Sequence, residues 1–168
     1  AHYRAHRRDL PWRRTRDPYA IWVSEIMLQQ TQVDAVIPRY HQFIAEFPHV
    51  RALASAPEQR VCEAWAGLGY YRRARALHAA ARRVVEEHAG ELPRSPQALM
   101  ELPGIGRYTA GAIASIAFGE EAPILDGNVI RVLARIYAIS DRPSSPAGQK
   151  RLWGLAQELV RGDAPGEL

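Results

Sequence analysis

Residues 102–128 constrain this chain more than any other stretch. They open with a turn, Leu102-Pro103-Gly104-Ile105-Gly106, followed by Arg107 and Tyr108 and then the small, apolar run Thr109 to Phe118. Pro103 fixes one backbone angle, and the two glycines reach shapes closed to other residues. The alanine-rich run predicts a helix packed closely on its neighbours. A glycine turn that feeds a helix start aims several backbone N–H groups one way, and the helix dipole adds positive potential there. The pattern therefore predicts a helix–turn–helix corner able to cradle a phosphate, with Arg107 as an added cation. A plain structural corner is the competing reading of a bare Gly-x-Gly. The flanking Leu102 and Tyr108-Thr109-Ala110 make this pattern longer, and it resembles the hairpin of helix-hairpin-helix DNA-binding proteins, which hold one strand through its phosphates.

The chain has 168 residues, 47% hydrophobic and 24% charged, enough for a real core in one domain or two small ones. No apolar run reaches membrane-spanning length, because Arg, Glu or Gln interrupts each candidate. The first residue is Ala1 rather than Met, so a fragment is expected, and no secretory signal is visible. Cys62 is the single cysteine and fits a reducing compartment; it is expected as a packing thiol on a buried helix face. The net charge is +4 and nearly all cations are arginine, Lys150 being the one lysine. Forked guanidinium groups suit phosphate, which makes nucleic acid a reasonable partner; a genomic bias toward arginine codons accounts for the same count.

Residues 1–16 carry six arginines with Tyr3 and Trp12, and read as a short helix stopped by Pro11, then a basic loop. Asp17-Pro18 is a helix start, with an N-cap and a proline at the first position. The helix continues to Leu28, and Glu25 is its anomaly, with Ile21, Trp22 and Leu28 as near neighbours. Three outcomes are open: the carboxylate points to solvent, pairs with an arginine, or lines a cleft where desolvation raises its pKa. Gln29-Gln30-Thr31-Gln32 is a polar loop of a kind able to hydrogen-bond base edges. A helix is expected over Val33 to Phe47, with Pro38 moving its true start a few residues later. Short helices follow at about 50–56 and 58–66. At Gly67-Leu68-Gly69-Tyr70-Tyr71, Leu68 and Tyr70 read as wedges for a base step, with Arg72, Arg73 and Arg75 behind them for phosphates. A long helix runs to about His88 and is ended by Gly90; another covers 96–101. Beyond the hairpin, Asp126 or Asn128 reads first as an N-cap for a helix from Val129 to Ile139, with Val132, Leu133 and Ile136 facing in. A last helix spans about 147–161. No strand alternation is present, so the expected class is all-α.

Three stretches together carry a family resemblance: Leu10-Pro11-Trp12-Arg13 with Asp17 to Val33, Gly67 to Tyr71, and Leu102 to Asn128. The chain resembles the adenine DNA glycosylases of the MutY type within the endonuclease III superfamily. The resemblance implies a helix-hairpin-helix glycosylase fold. One helical domain would cover about 17–128, with the hairpin unit at about 96–118, and a partial second domain would combine 1–16 with 129–168. It implies double-stranded DNA as partner, carrying adenine opposite 8-oxoguanine or guanine, with the adenine flipped into a pocket. Glu25 would be the general acid at the purine, and Asp126 would stabilise the oxocarbenium-like sugar. Trp12, Arg13, Leu28, Tyr108 and Asn128 would line the pocket, and Gln30, Thr31, Leu68, Tyr70, Gly104, Gly106 and Arg107 would contact DNA. Strand-cutting relatives carry a lysine where this chain has Tyr108, so base removal alone is expected. The family's four cysteines for a [4Fe–4S] cluster are absent from this chain, so no metal site is expected within it. A monomer in the bacterial cytoplasm, associated with the nucleoid, is the expected setting. A glycosylase for another mispaired base, such as thymine, and a non-catalytic DNA-binding module are the competing readings.

Overall fold

A computed structural model describes residues 8–161. The short helix expected within 1–16 and the tail from Gly162 fall largely outside that range. Among the described residues the structure is helical throughout. A 3-10 turn at Pro11–Arg13 precedes nine helices: α1 (Pro18–Leu28), α2 (Val33–Glu46), α3 (Val50–Ser55), α4 (Glu58–Ala64), α5 (Arg72–Glu87), α6 (Pro96–Met100), α7 (Arg107–Phe118), α8 (Gly127–Ile136) and α9 (Pro146–Leu159).

Helix α1 is the axis of the larger lobe. Asp17 caps it by accepting a 3.0 Å bond from the Tyr19 amide, and Pro18 occupies the first turn. From Tyr19 to Met27 every residue is buried except Glu25. A helix apolar on nearly all sides must be surrounded, and α2, α5 and α7 pack around α1. The larger core joins Trp22, Phe43, Leu53, Trp65, Leu77, Leu99 and Ile113 into one cluster. Phe43 meets Trp65 edge-on at 5.8 Å, an arrangement favoured by the ring quadrupoles.

Helix α2 starts at Val33, not later, and carries Pro38 inside it. Pro38 and Asp34 are both exposed, so water takes over the carbonyl that the proline leaves free. Gly104 makes the hairpin turn with φ +78°, and a Cβ there would lie 2.8 Å from the Cβ of Ala76 on α5. Both the left-handed angle and the close approach require glycine.

The smaller core contains Leu125, Leu133, Leu152 and Ala156, where α8 meets α9. Two expectations shift here. Helix α8 runs from Gly127 to Ile136, and of its expected inward residues only Leu133 is buried; Val132 and Ile136 are 50% and 68% exposed. A single packed partner covers one stripe of a helix. Leu10 and Trp12 join the larger core, with the Trp12 ring 5.4 Å edge-on from Tyr40. The described part of the N-terminal segment therefore packs against α1 and α2. Cys62 is only half-buried on α4.

The link between the lobes crosses α7 at Gly111. A Cβ on Gly111 would fall 2.4 Å from the carbonyl oxygen of Pro123, a backbone atom that no rotamer change relieves. Gly111→Ala is expected to destabilise the chain by about 1–3 kcal/mol or more, read as a lowered midpoint in thermal or urea unfolding.

Candidate active site

Between the two lobes lies a cleft of about 850 Å³. Its walls come from the 3-10 turn, α1, α7, α8 and α9. All seven residues expected to act on or enclose the base line it: Glu25 and Asp126, with Trp12, Arg13, Leu28, Tyr108 and Asn128. The two acids, a hundred residues apart in the chain, face one crevice.

Glu25 is the one break in the buried face of α1, and it opens into this cleft. It keeps a narrow contact with water while protein surrounds it on the other sides. Burial pushes its carboxyl up to about 7, and the charge of Arg13 pulls it partly back. Of the three outcomes open from the sequence, it is the cleft that the structure shows.

Asp126 sits in the opposite environment. It caps α8, accepting from the amides of Asn128 at 3.0 Å and Val129 at 2.8 Å, and from the Asn128 side-chain amide at 3.3 Å. These donors hold the carboxyl group in one orientation at the start of the helix. The cap reading and the site reading describe the same residue, because the cap turns one face of Asp126 to the helix and leaves the other on the cleft. Arg131 in turn donates to the Asn128 side-chain oxygen.

Tyr108 connects the two acids electrostatically. Its phenol is pushed up first by burial and then by the negative charges of Glu25 and Asp126, so the hydroxyl stays protonated and is a hydrogen-bond donor at neutral pH. Gln29 also lines the cleft and donates from Nε2 to Thr109 Oγ1 at 3.3 Å, tying α1 to α7. In the sequence it was indistinguishable from its polar neighbours.

The residues expected on DNA form two further groups. Gln30, Thr31, Leu68 and Tyr70 gather where the end of α1 meets the 67–70 turn. Gln30 and Tyr70 share a smaller cavity of about 500 Å³, and Tyr70 is 63% exposed. Leu68 is only 5% exposed and its side chain belongs to the larger core, so in this structure Tyr70 is the projecting member of the pair. Arg73, expected on phosphate, instead turns inward onto backbone carbonyls, and Arg75 pairs with Glu58 at 3.2 Å. The third group is the hairpin. Gly106 caps α7 with open space where a Cβ would stand. Arg107 is exposed beside it and stacks on the Trp153 ring of α9 at 3.5 Å, a contact between the lobes with no counterpart in the sequence reading.

Among the described residues no group of three or more His, Cys, Asp or Glu is placed to hold a metal ion. No helix among them is long and apolar enough to cross a membrane.

A helical hairpin and a cleft between helical lobes define a class, and the comparisons agree on the fold. The chain belongs to the HhH-GPD superfamily of base excision DNA repair proteins, whose pattern matches residues 23–158. Within it, the chain is 52% identical to the human protein named adenine DNA glycosylase over 175 residues, covering 99% of this chain and 32% of that one. The adenine DNA glycosylase of Arabidopsis thaliana is 44% identical over 192 residues, covering 99% and 30%. The chain thus spans about a third of the length of these relatives. A solved structure of a thermostable thymine-DNA glycosylase superposes with a TM-score of 0.87 at 33% identity, covering 98% of this chain and 78% of that one.

The Glu25 carboxyl has a consequence for stability. In the unfolded chain it ionises near 4.5, and in the fold near about 7. Between those values the native state holds a proton that the unfolded state has lost, so stability falls as pH rises through this window. Glu25→Gln, uncharged at every pH, is expected to be more stable than the parent above pH 7 by on the order of 3 kcal/mol. The difference is expected to vanish below about pH 4.5, as measured by melting curves at the two ends of the window.

Proposed function

We propose that this chain is the base-excising region of an adenine DNA glycosylase, acting on adenine paired with 8-oxoguanine or guanine in double-stranded DNA. The observation that carries the reading is the pairing in one cleft of a buried acid whose proton affinity is raised, Glu25, with a second acid held by helix-cap donors, Asp126. A carboxyl group with raised proton affinity beside a second carboxyl group suits glycosidic cleavage. The 52% identity to a protein named for adenine, against 33% to the thymine enzyme, favours adenine as the base.

In this reading the adenine leaves the stack and enters the cleft. Glu25 gives its proton to N7, and the bond from C1′ to N9 breaks with its electron pair on N9. The base departs neutral. The Asp126 carboxylate faces the positive charge left on the sugar. A water oxygen then bonds to C1′, and its proton passes to the Glu25 carboxylate, restoring the acid. Trp12 and Leu28 supply apolar walls, and Arg13 and the Tyr108 hydroxyl supply fixed polar groups. Tyr108 offers no amine, so no Schiff base with the sugar forms and the strand stays intact. Gly104, Gly106, Arg107 and the first amides of α7 would hold a phosphate, while Gln30, Thr31 and Tyr70 would meet the opened stack. The acids and the pocket walls come from one chain, so a monomer suffices. The [4Fe–4S] cluster of the family resemblance finds no fit among these residues, because Cys62 is the only thiol.

The test is release of base from duplexes that differ only in the mispair, read as abasic sites after alkali. Adenine opposite 8-oxoguanine and opposite guanine should be released, and thymine opposite guanine should not; the reverse pattern assigns the thymine reading. Glu25→Gln and Asp126→Asn should each lower the single-turnover rate by on the order of 10²–10⁴-fold with duplex affinity retained. Undiminished rates in both variants would remove the two acids from the chemistry, and duplex binding without base release by the parent would reduce the chain to a DNA-binding module. Borohydride should trap no covalent adduct during excision.

A further inference from the structure

Arg73 makes contacts that the mechanism above leaves unused. Its Nη1 donates to the carbonyl oxygens of Ile26 at 3.0 Å and Met27 at 3.1 Å, and to that of Gln29. Its Nη2 donates to Thr31 Oγ1 at 3.0 Å, Leu68 O at 3.0 Å and Gly69 O at 3.3 Å. The guanidinium lies 5.6 Å from the centre of the Trp65 ring and 5.4 Å from that of Tyr70. Trp65 donates from its indole to Gly69 O at 3.2 Å, closing the same knot.

These acceptors belong to two separate pieces of chain. Ile26, Met27 and Gln29 are the end of α1, where the last carbonyls have no helical partner and the dipole is negative. Leu68 and Gly69 form the turn before α5. Each piece displays one non-glycine residue in the left-handed region, Gln30 at φ 57° and Tyr70 at φ 49°. Such conformations persist only where the surroundings over-determine them. Both residues are exposed and border the same small cavity. One turn back along α1 stands Glu25.

We infer that Arg73 is a positioning residue that locks the Gln30 and Tyr70 turns to the helix bearing Glu25, so that entry of those two side chains into a duplex and delivery of the extruded base to the acid occur in one register. The inference rests on the proposed glycosylase reading. The planar fork accounts for the choice of arginine: two nitrogens reach two backbone pieces at once while the face stacks on aromatic rings. An ammonium group is a point donor and cannot span both. The buried Arg73 Nε has no partner among the described residues, so the hydrogen bonding is concentrated in the two terminal nitrogens.

Arg73→Lys in the full-length protein tests this, with two duplexes under single-turnover conditions. In one, the target adenine is paired opposite 8-oxoguanine; in the other it is an unpaired bulge already free of the stack. Loss of register should slow the paired substrate about tenfold or more and the bulged one less than about threefold, since only the first needs the intruding pair correctly placed. A 2-aminopurine beside the target adenine should brighten when the parent protein binds and stay dim with Arg73→Lys. Equal slowing on both duplexes, or unchanged brightening, would overturn the inference. Should Arg73→Lys melt below the assay temperature, Thr31→Val removes one of the six acceptors. It should shift the rate ratio and the brightening in the same direction, and an unchanged pair of readings would count equally against Arg73. If the parent releases base from neither duplex, the glycosylase reading fails by itself, and the 2-aminopurine comparison still decides the role of Arg73.

Discussion

The approach of the Pro123 backbone to α7 is the contact on which the cleft depends. Only the missing side chain of Gly111 lets the 122–126 segment lie against that helix. The segment then delivers Asp126 to the start of α8, and α7 is itself packed on α1. Glu25 and Asp126 therefore line one cleft within a fixed frame of backbone contacts. Dense, small-residue packing of this kind deforms little, so the placement of the two carboxyl groups in the cleft is fixed by the fold.

Within that frame the two acids are differentiated by surroundings alone. Glu25 is on a helix whose every other nearby position is buried, so its charged form loses hydration and gains little in return beyond Arg13. Asp126 gains three N–H donors at a helix start. Tyr108, close enough to feel both, stays protonated. Burial raises the proton affinity of the one, while cap donors fix the orientation of the other.

The two lobes use their residues differently. The larger lobe has a continuous core from Leu10 to Ala122, and its surface turns carry the strained, exposed pair Gln30 and Tyr70. The smaller lobe buries little beyond Leu125, Leu133, Leu152 and Ala156, and it leans on the larger through the Arg107–Trp153 stack and the Gly111 crossing. Rigidity is thus concentrated around α1, the helix that bears Glu25 and ends in the turn clasped by Arg73.

Much was legible in the amino-acid order because it depends on neighbours a few residues apart. The cap at Asp17, the glycine hairpin, the all-α class and the oddity of a glutamate on an apolar helix all follow from local backbone and burial rules. The outward turn of Val132 and Ile136 escaped it, since it turns on which face meets water. The direction of Arg73 escaped it as well: a guanidinium beside a turn reads the same whether it reaches out to phosphate or in to carbonyls. Identity and spacing of the two acids were written in the chain. Their convergence, and the raised proton affinity of Glu25, were decided only by tertiary structure, because desolvation and Coulomb terms depend on distances in space that sequence separation does not contain.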